Sequence, residues 1–159
     1  MKTATIHELN IGLSQLDKKE LLSFCVRLAK FKKENKELLT YLLFEGGDID
    51  NYIENVKKEI TLSFTEMNNS NVYYIKKSVR KILRYVKKSI RFTGSKQAEA
   101  ELLIHFCNAI LEFTIPLSKS KPLQNLCEIQ LKKIDLAISS LHPDLQYDLK
   151  KKLNQKILI

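Results

Sequence analysis

The chain has 159 residues, of which 44% are hydrophobic and 28% charged, and its formal net charge is +9. This composition is too apolar for a disordered chain, and the length suits one domain with its own core. The longest apolar runs, such as Leu38 to Phe44, are too short to cross a bilayer, and Glu8 comes too early for a signal peptide. We therefore predict a single soluble domain over residues 1–159.

The sequence contains several helix signals. Thr5–Glu8 and Asp17–Glu20 both have the spacing of a capping box, and no alternating strand pattern of useful length occurs. We predict about seven helices, of which the first runs from Asp17 to about Glu34 and the second covers 36–45, after a cap at Asn35, and stops at Gly46. The third helix starts at Asp48, the fourth covers 71–92, and the fifth follows Ser95 and ends by Pro116. The sixth helix covers 123–141, and the seventh runs from Pro143 through Ile157.

Short connections between these helices predict antiparallel hairpins, arranged as a helical bundle or as a short stack. One internal repeat favours the stack. The segment Leu21-Leu22-Ser23-Phe24-Cys25 aligns with Leu103-Ile104-His105-Phe106-Cys107. This pattern resembles HEAT-type helical repeats and uncharacterised bacterial all-helical proteins. The resemblance implies stacked hairpins, and it identifies no functional residue in this chain. The alternative explanation of the internal repeat is a chance match between two buried helices.

The three cysteines, Cys25, Cys107 and Cys127, are odd in number and far apart in the sequence. Each lies among apolar residues at helical spacing, which favours buried free thiols over disulfides. Free thiols are typical of a reducing compartment, so we predict a cytoplasmic location.

The net charge comes from one segment of the chain. Residues 1–75 hold 10 Lys/Arg and 11 Asp/Glu, residues 97–159 hold 8 and 7, and no acid occurs between Asn68 and Ala98. The cations between those two segments are Lys76, Lys77, Arg80, Lys81, Arg84, Lys87, Lys88, Arg91 and Lys96. Projected on a helix, those from 76 to 91 form a basic stripe on an arc of about 140°, opposite the apolar residues.

Two interpretations of the basic stripe stay open. In the structural interpretation it is a solvated face, or carboxylates of neighbouring helices neutralise it; the candidates are Glu54, Glu59, Glu99 and Glu101. Plain solvation is disfavoured because like charges at i,i+4 repel each other by a few tenths of a kcal/mol per pair.

In the functional interpretation the basic stripe binds an anionic partner. It is long enough to neutralise several phosphates, and Tyr73 and Tyr85 lie within it or at its edge, where they could stack on bases. No base-reading Asn or Gln lies within the stripe, so binding should be weakly specific. A membrane-surface role ranks lower, because the core of the domain needs the apolar face of this helix.

The junction after the fourth helix is a second candidate site. The amides at the start of the fifth helix, flanked by Arg91 and Lys96, predict a small anion pocket at Gly94 and Ser95. A C-cap glycine followed by an N-cap serine explains the same residues.

No metal, cofactor or catalytic site is predicted. His105 and Cys107 point to different sides of a helix, and no nucleophile motif is found. We therefore expect no enzyme, but a helical binding module for nucleic acid or another polyanion. The alternative is a protein-interaction scaffold that docks an acidic protein or a second copy. The apolar end, Ile157 to Ile159, would then either pack back on the domain or contact that partner.

Overall fold

The computed structural model of this protein describes residues 2–114 and 117–153. Every regular element in those ranges is helical, so the all-α prediction is confirmed. The described residues form eight α-helices rather than seven: α1 (Ile6–Ser14), α2 (Lys18–Phe31), α3 (Lys33–Thr40), α4 (Ile49–Thr65), α5 (Val72–Thr93), α6 (Lys96–Phe113), α7 (Lys121–Ser139) and α8 (Pro143–Lys152). A π-helical turn (Tyr41–Glu45) continues α3, and a 3-10 turn (Leu117–Lys119) precedes α7.

The additional helix is α1. Its capping box is complete, since Glu8 N–H donates to Thr5 Oγ1 at 3.2 Å and Thr5 N–H donates to the Glu8 carboxylate at 2.7 Å. The helix has no buried residue, and its capping box marks where it begins.

A second correction concerns the start of α3, which lies at Lys33 instead of residue 36. Asn35 does not cap this helix. Its side-chain amide instead donates to the carbonyl oxygen of Leu28 at 2.9 Å, which ties the start of α3 to the end of α2. Helix α6 ends at Phe113, before Pro116 as predicted, whereas α8 ends at Lys152 with Leu153 as its extended C-cap, so the prediction of one helix from Pro143 through Ile157 is wrong. The apolar tail from Ile157 to Ile159 lies outside the described residues.

The chain packs as two compact units, which we call the N-terminal unit (Met1–Gly47) and the C-terminal unit (Asp48–Ile159). The prediction of one domain over residues 1–159 stays a prediction. None of the helices in the described ranges is both long and apolar enough to cross a membrane.

The C-terminal unit is a helical bundle with α6 at its centre. This helix buries nine of its 18 residues and packs against α4, α5, α7 and α8. Three phenylalanines link α4 to α6, because the Phe64 ring lies 5.8 Å from that of Phe106 and 6.3 Å from that of Phe113. Cys107 and Cys127 are buried free thiols in this core, as predicted.

The N-terminal unit, in contrast, has almost no core. Tyr41 is the only large apolar residue of its described part that is buried. Leu28 is 61% exposed and Phe31 is 81% exposed, although both keep the helical period that predicts burial. The prediction that Cys25 is buried is wrong for the same reason: it lies on α2 and is exposed.

Candidate functional site

The basic segment forms α5, a helix of 22 residues. Asn71 caps its start, since the side-chain oxygen accepts a hydrogen bond from Tyr74 N–H at 3.1 Å. It ends at Gly94, whose φ of +60° lies in the left-handed region that glycine adopts without strain. The predicted bounds of this helix, 71–92, agree with the structure to within a residue.

The two faces of α5 separate as the projection predicts. Its apolar side packs against α4 and α6 in the C-terminal unit. The buried residues of α5 are Ile75, Val79, Ile82, Leu83, Val86 and Ser89. On the other side Lys77, Arg80, Lys81, Arg84, Lys87 and Arg91 are exposed, and Lys76 and Lys88 are partly buried. The core therefore holds the helix so that its cations face outward.

Most of the carboxylates proposed as partners of the basic stripe bind cations that lie outside it. Lys57 Nζ lies 2.7 Å from both Glu54 and Glu101, so these two acids form an ion-pair cluster between α4 and α6. Lys96 Nζ pairs with Glu99 at 2.7 Å, within the first turn of α6. Three of the four candidate acids are therefore engaged away from α5.

Among the residues that the structure describes, six cations of α5 form no ion pair. We call these six, Lys76, Lys77, Arg80, Lys81, Arg84 and Lys87, the cationic face. Lys88 and Arg91 have interactions of their own and are not included.

Lys81 lies at the edge of the cationic face. It borders a cleft of about 380 Å³ between α4 and α5, which Glu59 and Glu66 also line. These two acids reduce the local positive potential. The other five cations share a recess with Tyr73 and Leu83, and no acid of the described residues lines it. The strongest positive potential should thus lie along that recess.

The two predicted aromatic residues have different positions. Tyr73 is 65% exposed, and its ring makes an edge contact with the Tyr74 ring at 5.4 Å. Tyr85 packs against the hydrophobic core and lines the cleft on the α4 side, so the fold does not bring it to the recess. Only Tyr73 is placed beside the cations with its ring accessible.

The junction at Gly94 and Ser95 uses its polar groups internally. Gly94 N–H donates to the Ile90 carbonyl at 3.1 Å, and Ser95 N–H donates to Thr93 Oγ1 at 3.2 Å. Ser95 Oγ in turn accepts from Ala98 N–H at 3.3 Å. These bonds are the C-cap and N-cap of two successive helices, and they occupy the amides of Gly94, Ser95 and Ala98. We leave Gly94, Ser95 and Lys96 out of the candidate site.

A polar cluster between α4 and α6 was not foreseen from the sequence. Thr61 Oγ1 and His105 Nε2 are hydrogen bonded at 2.9 Å, beside the Lys57–Glu101 ion pair. Burial lowers the pKa of His105. For Glu101, burial raises the pKa, but hydrogen bonds from Lys57 and Gln97 more than offset this and the pKa is lowered overall. The residues of this cluster are 44 positions apart in the sequence and meet because α4 packs against α6.

No group of three or more His, Cys, Asp or Glu residues in the described ranges could hold a metal ion. The chain matches no family model, no curated protein and no solved structure. The resemblance to HEAT-type repeats stays a prediction.

Proposed function

We propose that this protein is a non-enzymatic helical module that binds nucleic acid through the cationic face of α5. The observation that supports this most directly is the set of six cations that project from one helix without ion-pair partners in the described residues. Lys76, Arg80 and Arg84 follow one another at i,i+4, so each repels the next. Phosphates bound along the helix would relieve this repulsion and release counterions.

The length of the cationic face suits a few nucleotides. From Lys76 to Lys87 the helix rises about 16 Å, at about 1.5 Å per residue. This corresponds to about five nucleotides of one strand at about 3.4 Å each. The face contains no Asn or Gln, so phosphate contacts should dominate and base specificity should be weak.

The main experiment measures binding of single- and double-stranded DNA and RNA as a function of salt. We expect the logarithm of the association constant to fall with the logarithm of salt concentration, with a slope of about −4 if most of the six cations contact phosphate. The double variant Arg80→Gln/Arg84→Gln should reduce that slope by about 1 to 2. Circular dichroism checks that it is folded.

The matched control removes the same charge elsewhere. Lys132 and Lys133 are exposed on α7, outside the cationic face. The variant Lys132→Gln/Lys133→Gln has the same net charge as the α5 variant, and it should keep the wild-type slope. Equal losses in both variants would indicate a non-specific effect of net charge, and no binding at low salt would refute the proposal.

Tyr73 separates single-stranded from duplex ligands. Its exposed ring lies beside the cations, where an unpaired base could stack on it. Tyr73→Ala should weaken single-strand binding by about 1–3 kcal/mol and leave duplex binding nearly unchanged. Tyr147→Ala is the matched control, because Tyr147 is 62% exposed on α8. Equal effects of both variants would contradict a stacking role for Tyr73.

A second candidate is the protein-interaction scaffold, which would dock an acidic protein or a second copy of the chain. The exposed apolar side chains of the N-terminal unit favour this role. We also propose a cytoplasmic location, supported by three free thiols.

A further inference from the structure

The N-terminal unit exposes an unusual amount of apolar surface. Its exposed large apolar side chains include Leu22, Phe24, Leu28, Phe31, Leu43 and Phe44. Isolated exposed apolar residues are normal on a protein surface, but a concentration of this kind within 47 residues is typical of a surface that another molecule covers.

The backbone of this unit is nevertheless mostly helical. Capping boxes begin α1 and α2, and α2 packs along α3 as a hairpin that the Asn35–Leu28 hydrogen bond closes. The apolar side chains of α2 from Leu21 to Phe31 occupy an arc of about 220° around the helix axis. Such a hairpin resembles a hydrophobic core that has been cut in half, as in the interfaces of obligate homodimers.

A unit this small needs additional stabilisation. Below about 70 residues, small folds generally depend on disulfides, a metal or association with another chain. Cys25 is the only cysteine of the N-terminal unit, so no disulfide can form within it. No metal-binding group occurs among the described residues. Association is the device that fits the residues present.

We propose that a second copy of this chain covers the apolar surface of the N-terminal unit, so that α2 and α3 of both copies form one four-helix core. The exposed side chains offer on the order of 1,000 Å² of apolar surface, compared with about 800 Å² per partner in a standard interface. A two-fold axis would use the same surface on both copies.

Charge favours a second copy over a lipid surface. The N-terminal unit holds 8 Lys/Arg and 6 Asp/Glu, so two copies can approach with little repulsion. Helix α2 carries a net charge of +3, whereas residues 33–45, which include α3, carry −1. An arrangement that places α2 of one copy along α3 of the other therefore keeps the two positively charged α2 helices apart. An anionic bilayer would suit α2 alone, and a flat surface could not cover an arc of about 220°.

The test is the mass of the full chain in solution, measured by sedimentation equilibrium over a dilution series at low and high salt. We expect the mass of two 18.5 kDa chains at high concentration. High salt should leave this dimer intact, because its contacts are apolar, and should abolish any nucleic-acid bridging through α5. This salt response distinguishes the dimer from the proposed nucleic-acid function.

Two variants and a control locate the interface. Leu28→Gln/Phe31→Gln and Leu43→Gln/Phe44→Gln each remove two exposed apolar side chains, and each should weaken dimerisation by roughly 100-fold or more. Ile129→Gln/Leu136→Gln makes the same change on α7, where these residues are 54% and 72% exposed, and should leave the dimer intact. Circular dichroism checks that all three variants are folded.

Three results would overturn the proposal. If the wild-type chain stays monomeric at every concentration, a second copy does not cover the apolar surface. A dimer that the control disrupts as strongly as the N-terminal variants lies elsewhere on the chain. A monomer that binds vesicles of anionic lipid, and loses this binding in the N-terminal variants, shows that a lipid surface covers the unit instead.

Discussion

Helices α2 and α5 are both amphipathic, but the fold uses their apolar faces in opposite ways. The apolar residues of α5 are buried, with Val79 and Val86 fully inaccessible, whereas Leu28 and Phe31 of α2 are mostly exposed. The difference lies in the neighbours. Helix α5 packs against α4 and α6, whose buried residues cover its apolar face, while among the described residues α2 packs mainly against the short helix α3. An amphipathic pattern shows which face should be covered, but not whether the same chain covers it.

The largest expected effect tests the core of the C-terminal unit. Phe106 is fully buried and contacts the Phe64 ring, so Phe106→Ala should lower the free energy of unfolding by about 3–5 kcal/mol. Phe31→Ala, measured at a concentration where the chain is monomeric, should change it by less than about 0.5 kcal/mol. Urea unfolding followed by circular dichroism measures both. Similar losses would show that Phe31 is buried in the monomer.

The next effect uses two glycines in opposite conformations. Gly94 has φ +60°, so Gly94→Ala should cost about 1–2 kcal/mol of stability through backbone strain alone, since a Cβ there has no neighbour within 4 Å. Gly12 lies inside α1 with equally open space, and Gly12→Ala should stabilise that helix by up to about 1 kcal/mol. Thermal unfolding and hydrogen exchange distinguish the two signs; equal signs would contradict the assigned backbone conformations.

A smaller effect depends on the Lys57–Glu101 ion pair. The side chains are 17% and 12% exposed, and Glu101→Gln should cost on the order of 1 kcal/mol at neutral pH. The pKa of Glu101 is lowered in the folded protein, so its contribution is present above the pKa of the unfolded chain and is lost as the pH falls through the folded pKa. The variant should therefore show a shallower loss of stability in acid.

The control for this ion pair lies in the other unit. Hydrogen bonds from Thr5 lower the pKa of Glu8, which is fully exposed. Glu8→Gln should leave the urea midpoint of the C-terminal unit unchanged at every pH. A common response of both variants would mean that general charge, rather than the buried pair, sets the acid dependence.

The smallest expected effect concerns His105. Burial lowers its pKa, so the unfolded chain takes up a proton at a higher pH than the folded protein. Stability should fall as the pH drops from about 6.5, the ordinary pKa of histidine, toward the folded pKa. His105→Gln should reduce the dependence of the melting temperature on pH in this window. His7 is an exposed histidine of the N-terminal unit, and His7→Gln should leave that dependence unchanged. A slope that survives His105→Gln would assign the dependence to another group.

The sequence was most informative where signals are local. The bounds 71–92 of the basic helix and its end at Gly94 follow from local helix signals, and the separation of apolar and cationic residues follows from the helical period; the structure has each of them to within a residue. The count of helices omitted α1, although the Thr5–Glu8 capping box that begins it is visible in the sequence. The sequence does not show whether the polar groups of Gly94 and Ser95 bind an anion or form the hydrogen bonds of helix caps, because those hydrogen bonds depend on backbone geometry.

The amino-acid sequence by itself determined that this protein is all-α and that one helix carries its positive charge, because propensity, caps and periodicity act over a few residues. Only the tertiary structure decided which carboxylates pair with which cations. Glu101 lies on α6 and its partner Lys57 on α4, and no spacing in the sequence encodes that contact. The same holds for burial: α2 and α5 have similar patterns, and the presence of a covering neighbour, which is a long-range property, gives them different exposures.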